Sequence, residues 1–199
     1  MPSINIANRV TLGRLALTIV LLIVLSLVHT GVWPLGETRA AAWVALVLFL
    51  VAGGTDWLDG YLARSLDIVT PFGRIADPFV DKMLVTGCLV LLTSLDSTGA
   101  LLRPWMVVVI IAREFLVNGI RGWMESEGVN FQAAKPGKYK FTLQVLSISG
   151  LLLMLALNDP WPWLRSVNVV LIWGMLLLTL YSGGFYVLKA ARSAGDTQL

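Results

Sequence analysis

Six apolar runs constrain the fold of this 199-residue chain more than any other feature, at about 11–30, 40–64, 73–95, 104–124, 140–158 and 165–190. A helix needs around 20 such residues to cross a hydrocarbon core of about 30 Å. Only 14% of the residues are charged and mean hydropathy is +0.78, whereas soluble domains carry about 25% charge. The expectation is an all-α membrane protein: one domain over residues 1–199, with six transmembrane helices and an N-terminal amphipathic surface helix at about 4–11. Turn-rich stretches such as Asp96-Ser97-Thr98-Gly99 and Asn158-Asp159-Pro160 separate the runs. Arg9 and Arg14 before an apolar stretch imitate a signal peptide, but the small residues Ala40-Ala41-Ala42 lie too far beyond it for normal processing. The first run is therefore read as a retained span.

Basic residues set the orientation. With six spans, one side holds Arg9, Arg14, Arg64, Arg74, Lys82, Arg113, Arg121, Lys135, Lys138, Lys140, Lys189 and Arg192, and the other holds Arg39, Arg103 and Arg165. Both termini are expected in the cytoplasm and the protein in the cell membrane. From residue 40 to residue 56 a helix climbs about 25 Å at 1.5 Å per residue, which brings Asp56 close to the cytoplasmic face. The net charge of +3 is small and scattered, and gives no case for nucleic acid. Cys88 is a lone cysteine in an apolar run, so no disulfide framework exists within the chain. His29 is read as structural and Asp67 as a solvated loop acid.

Four carboxylates interrupt this apolar sequence. Asp56 and Asp59 stand three apart, Asp77 and Asp81 four apart, and both spacings place side chains on one helix face. An ionised Asp within a membrane span costs about 2.5–3.5 kcal/mol even on the lenient insertion scale. Two divalent cations would neutralise four such groups, and an all-oxygen donor set favours Mg²⁺ or Mn²⁺ over zinc. Gly60 and Gly73 allow close approach to the backbone, Ala63 keeps the same face shallow, and Arg64 supplies a permanent cation.

The full pattern, Asp56-x2-Asp59-Gly60-x2-Ala63-Arg64-x8-Gly73-x3-Asp77-x3-Asp81, resembles the signature of the CDP-alcohol phosphatidyltransferases. Other stretches are similar to the branch of that family that makes phosphatidylglycerophosphate. These are Asn5 to Arg14 (with Ala7 at the customary proline), Thr70-Pro71-Phe72-Gly73, Ala112-Arg113-Glu114, and Gly137-Lys138-Tyr139-Lys140 with Gln144. Phe141 stands where that branch has threonine, with Thr142 one place later.

The resemblance implies attack by an alcohol on CDP-diacylglycerol with release of CMP, two metals held by Asp56, Asp59, Asp77 and Asp81, and Asp81 as the catalytic base. It also implies a CDP-lipid site at Asn8, Gly60, Ala63, Arg64, Thr70 and Gly73, and a homodimer. For an acceptor such as sn-glycerol 3-phosphate, Arg113, Lys138 and Lys140 are the candidate phosphate ligands, although membrane-face anchoring also explains such lysines. Inositol phosphate, serine or a second lipid are alternative acceptors. A divalent-cation transporter is the competing class, since intramembrane acids also line ion paths. The clustering of the acids at one face, with the glycines and Arg64 beside them, favours the transferase.

Overall fold

The computed structural model describes residues 6–30, 35–66, 71–126, 135–158 and 161–196. Among these the chain is helical, with no strand. The helices are α1 (Ile6–His29), α2 (Leu35–Leu66), α3 (Pro71–Thr93), the single turn α4 (Asp96–Gly99), α5 (Pro104–Ser126), α6 (Lys135–Leu157) and α7 (Pro162–Asp196). The six long helices follow the six apolar runs.

Among the described residues, four segments are long and apolar enough to cross a membrane on length and composition alone: Val10–His29, Thr38–Thr55, Tyr139–Leu157 and Pro162–Arg192. The other two long helices, α3 and α5, carry Asp77, Asp81 and Lys82, and Arg113, Glu114 and Arg121, clusters of charge that interrupt their apolar runs. The expected surface helix does not form a separate element. Helix α1 is continuous from Ile6, so the described part of that segment is its first turns, and Thr11 is buried against α3 instead of lying on a surface.

Helix α1 packs against both α2 and α3, α6 against α2 and α7, and α5 against α7, while α3 also touches α5 and α6. Leu21, Phe49, Leu89, Ile110, Ile148 and Met175, one from each long helix, are fully buried or nearly so in a shared apolar core. Close approach is visible between α1 and α3, where a Cβ on Gly87 would fall 2.8 Å from the Leu22 side chain. Between α6 and α7 the Asn168 amide donates to the carbonyl oxygens of Gly150 (3.2 Å) and Leu164 (3.0 Å), a polar tie inside an apolar interface. A second, smaller cluster of Val117, Met124, Tyr186 and Ala190 joins α5 to α7. Large apolar side chains also face outward, including Phe79 on α3 and Val108 and Phe115 on α5. Outward apolar surface of this extent suits a hydrocarbon environment better than water.

Candidate active site

A cavity of about 630 Å³ opens where α3, α5, α6 and α7 meet. Helix α3 contributes Asp77, Asp81 and Lys82, and α5 contributes Arg113, Glu114 and Arg121. Helix α6 adds Gly137, Lys140 and Gln144, and α7 adds Tyr186. Among the described residues, four cationic and three anionic side chains thus share one cavity. The carboxylates of Asp77 and Asp81 lie one helical turn apart at its α3 wall.

Both aspartates are held from α1. The Thr11 hydroxyl donates to Asp77 Oδ1 at 2.7 Å. Arg14 Nη2 lies 3.0 Å from Asp81 Oδ1 and 3.8 Å from Asp77 Oδ1, and it donates at 3.4 Å to the Asp77 backbone oxygen. Arg14 is 3% exposed. Its sequence spacing from Thr11 and Thr18 puts all three on one face of α1, and the Thr18 hydroxyl donates back to the Arg14 carbonyl at 2.8 Å. The carboxylates keep contact with solvent, their side chains being 50% and 31% exposed for Asp77 and Asp81. Hard oxygen donors one turn apart on a cavity wall suit a divalent cation of the Mg²⁺ or Mn²⁺ kind.

Another part of the lining is a cationic network centred on Glu114. Its Oε1 accepts from Arg113 Nη1 at 3.4 Å and from Lys140 Nζ, which ties α5 to α6. Arg113 Nη2 donates to Ser182 Oγ at 2.9 Å, and the Ser182 hydroxyl donates to the Thr179 carbonyl at 3.1 Å. The guanidinium carbon sits 5.7 Å from the centre of the Tyr186 ring, within cation–π range. Gly183 makes this path possible, because a Cβ there would lie 3.0 Å from Arg113 Cγ. Arg113 and Lys140 are both buried, so their charges are directed inward rather than toward headgroups. Gln144 is also buried, and its Nε2 has no hydrogen-bond partner among the described residues.

The structure therefore brings together four of the residues singled out in the sequence: Asp77, Asp81, Arg113 and Lys140. Asn8 is half-buried on α1, one turn before Thr11. Asp56, Asp59, Gly60, Ala63 and Arg64 belong to α2 and Gly73 to α3, but their side chains lie outside the described residues, as do Thr70 and the Lys138 side chain. Sequence reasoning assigned no site role to Thr11, Arg14, Lys82, Glu114, Arg121 or Tyr186. For Arg14 a signal existed: a cation four residues into the span Val10–His29 demands a buried anionic partner.

Comparison with known proteins identifies the family. The family model for CDP-alcohol phosphatidyltransferase matches residues 4–181. The chain is 37% identical over 189 residues to the CDP-diacylglycerol–glycerol-3-phosphate 3-phosphatidyltransferase of Bacillus subtilis (strain 168), covering 93% of this chain and 94% of that protein. It is 36% identical over 191 residues to a probable phosphatidylglycerophosphate synthase of Mycobacterium tuberculosis, covering 96% and 84%. A CMP-forming cardiolipin synthase of rice is 36% identical over 152 residues, covering 71% of this chain and 44% of the rice protein.

Proposed function

The chain belongs to the CDP-alcohol phosphatidyltransferase family, and from that membership we propose that it transfers the phosphatidyl group of CDP-diacylglycerol to sn-glycerol 3-phosphate. The products are phosphatidylglycerophosphate and CMP, which places the enzyme in phospholipid synthesis. The observation that carries the acceptor assignment is the single cavity bounded by Asp81 on one wall and by Arg113 and Lys140 on another. A small acceptor bearing a phosphate at one end and a hydroxyl at the other matches that division. The buried cations Arg113 and Lys140 at the cavity wall also suit an anionic substrate.

In the reaction, the acceptor's free primary hydroxyl oxygen bonds to the phosphorus of the phosphatidyl group. The pyrophosphate P–O bond breaks, and its electron pair leaves with CMP. Asp81 accepts the hydroxyl proton as general base. Arg113 and Lys140, with Lys138 beside them in sequence, bind the acceptor phosphate through charge-assisted hydrogen bonds. Glu114 keeps the Arg113 and Lys140 charges at the cavity wall. Asn8, Gly60, Ala63, Arg64, Thr70 and Gly73 form the CDP-lipid side of the site. Divalent cations held by Asp56, Asp59, Asp77 and Asp81 would supply neutralisation of the pyrophosphate and of the leaving CMP.

The protein acts as one integral-membrane domain that crosses the bilayer six times, with both termini and the site toward the cytoplasm. The outward apolar side chains of α3 and α5 support including these two helices among the spans. A homodimer is part of the same reading. Metal removal tests the chemistry directly. Purified protein given CDP-diacylglycerol and sn-glycerol 3-phosphate should stop releasing CMP in excess chelator and recover on addition of Mg²⁺ or Mn²⁺. Undiminished CMP release in chelator would contradict the metal assignment.

A further inference from the structure

We propose that Thr11 and Arg14 are positioning residues that fix the Asp77 and Asp81 carboxylates for cation binding. The inference rests on the reading that these aspartates are metal ligands. The two α1 residues grip one oxygen of each carboxylate: Thr11 Oγ1 holds Asp77 Oδ1 at 2.7 Å, and Arg14 Nη2 holds Asp81 Oδ1 at 3.0 Å. They reach α3 from α1, whereas the cavity is bounded by α3, α5, α6 and α7. Asp77 and Asp81 both line that cavity, so the contacts from α1 fix groups that form part of its wall.

Three features separate this arrangement from an incidental surface ion pair. Arg14 is almost fully buried, so its charge must be matched locally. The same Nη2 also donates to the Asp77 backbone oxygen, which fixes the guanidinium relative to the α3 main chain as well as to its acids. The Thr18 hydroxyl, one turn later, bonds the Arg14 carbonyl and belongs to the same buried face of α1. Groups that orient metal ligands in this way typically change metal affinity by about 10–100-fold when removed.

The sign of the effect makes the test decisive. Removing the Arg14 charge would, by Coulomb attraction alone, tighten binding of a divalent cation nearby. Removing its positioning role weakens binding. Mn²⁺ affinity is therefore measured by electron paramagnetic resonance on the purified full-length protein in detergent, with no lipid substrate present and with helix content checked by circular dichroism. Arg14→Gln is expected to bind Mn²⁺ about 10–100-fold more weakly than wild type, and Thr11→Val to bind it more weakly with no change of charge. Equal or tighter Mn²⁺ binding in Arg14→Gln would overturn the proposal. Where Arg14→Gln fails to fold, the near-isosteric Thr11→Val decides alone, and unchanged affinity there would overturn it. Wild-type protein that binds no Mn²⁺ would remove the metal reading itself and this inference with it.

Discussion

Asp81→Asn is expected to lower the rate of CMP release by about 10²–10⁴-fold, the usual contribution of a positioned general base, and the loss should persist at saturating Mn²⁺. The amide cannot accept the acceptor's proton, whatever the cation occupancy. Asp77→Asn offers the contrast. It replaces one anionic ligand by a neutral one of the same shape, so part of its lost rate should return as Mn²⁺ is raised. The structure makes the comparison fair, because both residues lie on the same wall of the cavity and both are tied to Arg14. Initial rates across a Mn²⁺ titration check the difference. Recovery of Asp81→Asn to the wild-type rate at high Mn²⁺ would leave it a metal ligand and remove it as the base.

Neutralising either Arg113 or Lys140 is the second large effect. sn-Glycerol 3-phosphate carries nearly two negative charges at neutral pH, and a hydrogen bond to a charged group contributes about 1.5–3 kcal/mol. Arg113→Gln and Lys140→Gln should each raise the acceptor KM by roughly tenfold to a hundredfold, with a smaller change in the KM for CDP-diacylglycerol. Both side chains already share Glu114, and Arg113 is further held by Ser182 and Tyr186. Such prior placement favours binding, since the cations need not be ordered when the phosphate arrives. Steady-state kinetics with each substrate varied in turn separates the two constants. An unchanged acceptor KM in both variants would move the phosphate site elsewhere.

The sequence carried the helices well and the cavity only in part. Six long helices were legible because a run of some 20 apolar residues has little choice of structure in a bilayer. The start of α1 is only partly legible: the polar residues near Asn8 and Thr11 suggest an interfacial segment, and Thr11 is buried against Asp77 of another helix. That contact joins residues 66 positions apart, and local periodicity carries no information about such a pairing. The same limit hid Glu114, whose partner Lys140 lies 26 residues away. By sequence alone Arg14 reads as one more positive charge near the cytoplasmic face. Its burial shows that a cation just inside a span is better treated first as half of an ion pair. Arg113 and Lys140 were legible only through family resemblance. The position of Lys140 alone also fits a headgroup anchor, and both residues are buried in one cavity with Asp81.

The acceptor assignment is the central claim, and identifying the lipid product tests it most directly. Purified wild-type protein is incubated with CDP-diacylglycerol, Mg²⁺ and, in separate reactions, labelled sn-glycerol 3-phosphate, inositol phosphate, serine and phosphatidylglycerol, and the organic phase is then resolved by chromatography and mass spectrometry. The predicted result is label entering phosphatidylglycerophosphate from sn-glycerol 3-phosphate alone, with CMP released in equal amount. Incorporation of a different acceptor, or no CMP and no lipid product from sn-glycerol 3-phosphate, would contradict it.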